Sequence, residues 1–213
     1  MKYAVLGTGD VGKSIATKLI ALGHEVKMGS RSSNHPGASE WAGKQGGRAS
    51  HGSFAEAANF GEVLVVAVSG INALIALKSC GSAVDGKVVI DVSNPLDFSQ
   101  GFPPSLSISN TDSLGEQLQS EFPSARVVKT LNTTSHLVMV DPSLVPGDSD
   151  VFVSGNDVHA KAQVVALLKS FGWKEPIDLG DITTARGTEM LLPVWVRLYG
   201  VLGNPIFNFK IVR

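Results

Sequence analysis

The chain has 213 residues, a single cysteine and a formal net charge of −1, with 43% hydrophobic and 17% charged residues. That length suits one domain, at roughly 100–200 residues each, and the composition is that of a globular chain with a large core rather than a disordered one. The balanced charge gives no global field for nucleic acid or an anionic membrane surface, so any anion site must be local; Cys80 alone excludes an internal disulfide or a thiolate zinc cluster and suits a reducing, cytosolic compartment.

Lys2–Leu6 is a short apolar strand, too brief for a signal peptide and followed at once by glycines. From Gly12 to Leu22, Ile15, Ala16, Leu19, Ile20 and Leu22 recur at helical spacing, and Gly23 stops the helix. Glu25–Met28 is a second strand, and residues 29–37 a polar loop. A short helix over Ser39–Gln45 and a brief strand near Arg48–Ser50 precede a capping box, Ser53 with Glu56, that opens a helix over Phe54–Phe60. Glu62–Val68 is almost continuously apolar, as in a sheet covered on both faces. A helix over Ile71–Cys80 and a strand over Lys87–Val92 follow, then a long Pro/Ser/Gly-rich loop from Asn94 to Thr111. The pattern continues with a helix over Ser113–Phe122, a strand over Arg126–Leu131 and a loop from His136 to Ser149. It ends with a strand over Asp150–Val153, a helix over Asp157–Phe171, a strand over Pro176–Leu179, a helix over Thr183–Val201 despite Pro193, and a tail from Gly203 to Arg213.

Alternating strands and helices predict an α/β fold of the Rossmann type, a doubly wound and mainly parallel sheet with a small C-terminal helical extension. We expect one domain over 1–213, with a nucleotide-binding core over about 1–155 and an extension over about 156–213. The apolar stretch from Met190 to Leu202 is interrupted by Pro193 and Arg197 and falls short of the ~20 residues that span a bilayer, so no membrane segment is expected.

Gly7-Thr8-Gly9-Asp10-Val11-Gly12 lies between the first strand and the first helix. The motif is weak alone, but a preceding strand, a following helix and a second strand within ~30 residues make it a dinucleotide fingerprint. Gly7 permits the tight turn, Gly9 lets backbone approach a pyrophosphate, and Gly12 lets helix and strand pack closely. The N–H groups at the helix N-terminus then bind phosphate. Asp10 is expected to cap the helix and face away. At the end of the second strand an NAD-binding chain carries Asp or Glu for the ribose 2′-hydroxyl. Here Ser30-Arg31-Ser32 stands instead, with no carboxylate between Glu25 and Glu40. Arg31 can hold a 2′-phosphate by charge-assisted bonds and the serines can donate to it, which points to NADP(H); a solvated polar loop is the alternative.

Three further segments end on the same edge: Val68-Ser69-Gly70, Ser93-Asn94-Pro95-Leu96 and Asn132-Thr133-Thr134. Ser69 and Asn94 are candidates for the cofactor ribose and nicotinamide, and Pro95 for a sharp or cis turn. Asn132, Thr133 and Thr134 are candidates for the carboxamide or a second substrate; ordinary turn chemistry is the alternative for each. There is no Tyr-x-x-x-Lys pair, no nucleophile elbow and no His-x-x-x-His spacing, and His136 reads as a solvated loop residue, so no acid–base group and no metal site are expected. Direct hydride transfer between two stacked cofactors suits such a site, the protein contributing position and electrostatics. Two competitors are a non-catalytic regulator that senses NADPH/NADP⁺, and a small imine or carbonyl reductase.

Gly7–Gly12, Gly29-Ser30-Arg31, Val127-Val128-Lys129-Thr130-Leu131-Asn132-Thr133 and the ending Arg186-Gly187-Thr188-Glu189…Asn208-Phe209-Lys210-Ile211 together resemble the F420-dependent NADP oxidoreductases. They are also similar to the cytosolic reductase domain of STEAP-type metalloreductases. The resemblance implies a Rossmann domain, usually a homodimer, in which NADPH exchanges hydride with a small-molecule acceptor, coenzyme F420 or a flavin such as FMN or FAD. Carried over, Thr8, Gly9, Asp10 and Val11 line the pyrophosphate, Ser30 and Arg31 hold the 2′-phosphate, Val68 and Ser69 border the ribose, and Asn94 and Pro95 the nicotinamide pocket. The family's deazaflavin reductases often carry a basic residue shortly after the Ser-Arg pair; here the nearest are His35 and Lys44. Met190–Tyr199 is too apolar for an exposed helix and should pack on the sheet, cover the acceptor site or meet a second subunit.

Overall fold

The computed structural model describes residues 1–212; Arg213, the last residue of the expected tail, lies outside them. In chain order the first half holds β1 (Lys2–Leu6), α1 (Asp10–Ala21), β2 (Glu25–Ser30), α2 (Pro36–Gln45), β3 (Ala49–Ser53), α3 (Phe54–Phe60), β4 (Val63–Val66), α4 (Ala73–Lys78) and β5 (Val88–Asp91). Then come β6 (Leu96–Asp97), β7 (Ser105–Leu106), α5 (Leu114–Glu121), β8 (Arg126–Thr130), α6 (His136–Val140), β9 (Phe152–Gly155), α7 (Val158–Phe171), β10 (Ile177–Gly180), α8 (Ala185–Met190) and α9 (Leu192–Leu202).

Eight strands form one sheet in the order β10-β9-β8-β5-β4-β1-β2-β3. All neighbours pair in parallel except β8 and β9, which are antiparallel. The chain winds outward from β1 through β2 to β3, returns to β4 on the other side of β1, and continues outward. The order therefore reverses at β1 and β4, and the carboxyl ends of these two strands are where a doubly wound sheet leaves a crevice.

Both faces of the sheet are covered, which is why β1 and β4 read as continuous apolar runs. Along β1, Tyr3 and Val5 join one core cluster with Ile15 and Leu19 of α1 and Val164 and Leu168 of α7. Ala4 and Leu6 point the other way, into a cluster with Phe54 of α3, Leu77 of α4 and Leu114 and Leu118 of α5. Each fully buried Leu or Val contributes about 1.5–3 kcal/mol, so the two faces together fix the register.

Several expectations shift. The helix α1 begins at Asp10, with Gly9 as its N-cap, so Asp10 does not cap it. Asp10 is exposed in the first turn, where its charge complements the helix dipole. The segment from His136 is not simply a loop: α6 and a 3-10 turn over Pro142–Leu144 fold there, because Val138 and Met139 enter the core. Inside the expected long loop, β6 and β7 form a small hairpin. The cis peptide is Phe102–Pro103, not the bond before Pro95. The last helical stretch is two helices, α8 and α9, broken at Leu191 with Pro193 in the first turn of α9, where proline is tolerated. Only Leu192 and Val196 of α9 are buried, so this helix shows one apolar face to solvent.

Candidate functional site

The fingerprint glycines fit their roles by distance. Gly7 has φ +135°, a conformation side chains rarely adopt, and a Cβ there would lie 2.3 Å from the Ala67 carbonyl oxygen. A Cβ on Gly12 would lie 2.3 Å from the Gly7 carbonyl oxygen, so α1 seats directly on the turn. At Gly9 a Cβ would meet nothing within 4 Å. Gly9 also opens α1 without any side-chain cap, which leaves the first-turn N–H groups free for an anion.

A cavity of about 260 Å³ opens beside this turn. It is lined by Gly7, Thr8 and Gly9 after β1, Ser30 and Arg31 at the end of β2, and Ala67, Val68 and Ser69 after β4. Phe54, Ile75 and Ala76 give it an apolar wall, and His35 and Asn72 add polar groups. These five residues escape motif reading because a 3-10 turn over Gly70–Asn72, α4 and the starts of α2 and α3 bring them in from separate parts of the chain. Of the two expected basic residues, His35 lines the cavity and its Nδ1 is buried with no hydrogen-bond partner. Lys44 pairs instead with Glu40 at 2.6 Å on an exposed helix face.

The serines divide. Ser30 is buried and its hydroxyl donates to the Ser32 carbonyl at 2.5 Å, so that proton is engaged locally. Arg31 and Ser32 are exposed, and Arg31 has no salt-bridge partner among the described residues. Ser69 Oγ accepts from Asn72 Nδ2 at 2.7 Å, which fixes the turn after β4.

The other predicted residues form a second group at the ends of β5 and β8. Asn94 Nδ2 donates to the Asn132 carbonyl at 2.9 Å, and Asn132 Nδ2 donates to Asn94 Oδ1 at 3.0 Å and to the Thr188 carbonyl at 3.1 Å. Pro95, Asn132 and Thr133 are buried. Thr134 is 7% exposed and its hydroxyl has no partner, as has the Ser135 hydroxyl next to it. His136 is half-buried on α6, with its Nδ1 2.9 Å from Ser14 Oγ of α1, rather than in a solvated loop. The two groups touch through Gly70, where a Cβ would lie 2.1 Å from the Asn94 carbonyl oxygen.

Beneath the second group lies a buried ionic cluster: Lys129 Nζ is 2.8 Å from Asp91 Oδ2 and 2.8 Å from Glu189 Oε1. Burial by itself pulls the Lys129 ammonium down, but Asp91 and Glu189 outweigh it and hold its pKa above the ordinary lysine value. A lysine inside the apolar run Val127–Leu131 signals such a partner, though sequence spacing does not identify it.

A larger groove, about 880 Å³, runs between β10 and the segment Lys210–Val212. It contains none of the predicted residues, and both of its lysines are paired within it, Lys174 with Asp148 and Lys210 with Asp150. The predicted residues at the ends of β1, β2 and β4 line the smaller cavity at the reversal point instead. No helix among the described residues is long and apolar enough to cross a membrane.

The winding order, the glycine turn seated on β4 and the open first turn of α1 define a dinucleotide-binding protein of the Rossmann class. Comparison with known proteins agrees. The model of the family "NADP oxidoreductase coenzyme F420-dependent" matches residues 2–95. A solved structure from Arthrobacter sp. FB24, provisionally assigned to the F420-dependent NADP reductases, is 52% identical over the full length of both chains, with a TM-score of 0.95. The F420-dependent NADP reductase of Methanocaldococcus jannaschii is 29% identical over 93% of this chain and 92% of its own length. Metalloreductase STEAP3 of Rattus norvegicus is 31% identical over 91% of this chain, and the match spans 38% of that longer protein. The chain belongs to the F420-dependent NADP oxidoreductases, a family of NADP-dependent oxidoreductases.

Proposed function

We propose that this chain is a reductase that binds NADP(H) along the carboxyl ends of β2, β1 and β4 and passes hydride between it and a planar, deazaflavin-type acceptor such as coenzyme F420. The observation that carries the reading is the pairing, on one cavity, of the open Gly9 turn with Arg31 at the end of β2 and no carboxylate beside it. In this reading Thr8, Gly9, Asp10 and Val11 present backbone to the pyrophosphate. Arg31 and Ser32 hold the 2′-phosphate, and Ile75, Ala76 and Phe54 flank the adenine. Val68 and Ser69 border a ribose, Asn94 and Pro95 bound the nicotinamide end, and the unpartnered Thr134 hydroxyl meets the carboxamide or the acceptor.

NADPH, when bound, supplies the hydride. The chain's own part is to fix the nucleotide, exclude water and orient the ring, which is what direct hydride transfer asks of a protein. A second copy of the chain covers the exposed side of α9, where Val194, Tyr199, Val201 and Leu202 are open to solvent; sedimentation at micromolar concentration tests that, a monomer refuting it.

The decisive assay follows NADPH oxidation with F420, FMN or FAD as acceptor, with NADH in parallel. Turnover with F420 is expected. Failure with all three, and with imines and carbonyls, would leave a nucleotide-sensing regulator. Arg31→Ala removes charge-assisted bonds to the 2′-phosphate worth about 1.5–3 kcal/mol, so NADPH preference over NADH should fall about ten- to a hundred-fold. Unchanged preference would mean the 2′-phosphate lies elsewhere.

A further inference from the structure

The nucleotide cradle makes no use of Lys129, a large side chain near the end of β8 with no exposed surface. Its three protons are all engaged, with Asp91 Oδ2, Glu189 Oε1 and the Ser93 carbonyl, the last at 2.6 Å. The remaining carboxylate oxygen positions are filled too. Asp91 Oδ1 accepts from the Ser93 N–H and hydroxyl, at 2.9 and 2.6 Å. Glu189 accepts from the Leu114 and Gly115 N–H groups at the start of α5, at 2.8 and 3.1 Å.

Stability does not account for such a cluster, since well-packed apolar side chains commonly serve as well or better in that position. What apolar packing cannot do is fix three chain segments in one relative position through directed bonds. The cluster joins the end of β5, the end of β8 and α8. Each of these leads, within three residues, to a member of the hydrogen-bonded group above it: Asp91 to Asn94, Lys129 to Asn132, and Glu189 to Thr188. The route from Lys129 to Asn132 passes through Leu131, a buried non-glycine residue at φ 61°. That conformation is unfavourable for leucine and persists where the surroundings impose it.

We infer that Lys129 is a positioning residue: with Asp91 and Glu189 it holds the Asn94–Asn132 amide pair, and the Ser69–Gly70 turn packed on Asn94, in the place that orients the nicotinamide end of the cofactor. The inference rests on the hydride-transfer reading for what that pair faces. The adenosine and phosphate half of the cavity is built from other elements and does not depend on the cluster.

Lys129→Met and Glu189→Gln test this, the second keeping the Lys129–Asp91 pair so that a folded variant is available. Three readouts are compared with the parent: affinity for adenosine 2′,5′-bisphosphate, which reaches only the adenosine half, the emission of bound NADPH, which reports the surroundings of the ring, and kcat and KM with the acceptor. Bisphosphate affinity should stay within about two-fold while bound-NADPH emission changes and kcat drops about ten-fold or more at similar KM, the pattern of a misplaced reacting group. A folded variant with parental emission and kcat overturns the inference. So does one that loses the bisphosphate in step with kcat, and so does a parent protein that binds no NADPH. If the parent binds NADPH but reduces no acceptor, the reading of the previous subsection falls, and the emission comparison still decides the role of Lys129.

Discussion

Replacing Lys129 by Met also makes a stability prediction that can be worked through. The substitution keeps an unbranched apolar stem, one atom shorter, but removes the cation from a site where Asp91 and Glu189 have 0% and 2% of their side chains exposed. Breaking a buried pair from one side costs about 3–5 kcal/mol, mostly for the charge left behind. In a domain of this size about 2–4 °C of melting temperature goes with each kcal/mol, so the deficit at about pH 8 should be roughly 6–20 °C. The pH dependence gives the sharper test. In the parent the Lys129 pKa is raised, so its contribution is complete below the ordinary lysine value and is lost only as pH rises through a higher one. The deficit of the variant should therefore persist from about pH 8 to about pH 10, the ordinary lysine value. Thermal unfolding of both proteins, followed by far-UV circular dichroism at both pH values, measures it. A deficit below about 1 kcal/mol, or one that has vanished by about pH 10, would refute the picture of a dry, fully engaged cluster.

Three further outcomes are expected. Gly12→Ala places a Cβ 2.3 Å from the Gly7 carbonyl oxygen, a backbone atom held by β1, so α1 must lift off the turn; NADPH affinity by titration should fall about ten-fold or more, with about 1–3 kcal/mol of stability lost. Ser53→Ala removes one half of the capping box of α3, in which Ser53 Oγ accepts from the Glu56 N–H at 3.2 Å; denaturant unfolding should show a loss of about 1 kcal/mol at an unchanged m-value. Burial pushes the Cys80 thiol up to about 12 against a smaller downward pull from Lys87, and the side chain is buried; it should resist aromatic disulfide reagents at about pH 8 until the protein unfolds, and prompt reaction of the native protein would contradict its placement.

The first hundred residues were largely legible because their signals are local. A strand, a glycine turn and a helix follow one another within about twenty residues, and the capping box of Ser53 and Glu56 forms as spelled. Errors in that half are confined to ends: α1 starts two residues before Gly12, and Gly9 rather than Asp10 caps it, because the glycine turn leaves the cap position without a side chain. Beyond residue 130 the reading weakens where packing decides. The short α6 exists because Val138 and Met139 have a core to enter, which no local pattern announces. The apolar segment around Trp195 does not become a core helix: Trp195 stacks on Tyr199 and Phe207, while Val194 and Val201 stay exposed.

The sequence by itself determined the class of fold and the kind of nucleotide, since strand–glycine–helix order and the residues ending β2 are properties of contiguous chain. Only the tertiary structure decided how the remaining candidates divide. It left Arg31 open to the cavity while Ser30 turned to its neighbour, and it joined Asn94 to Asn132 across two strands. It also brought Asp91, Lys129 and Glu189, separated by 38 and 60 positions, within 2.8 Å of one ammonium group. The reason is physical: a buried charge must find its partner in space, and the strand order that supplies the partner is set by the whole sheet.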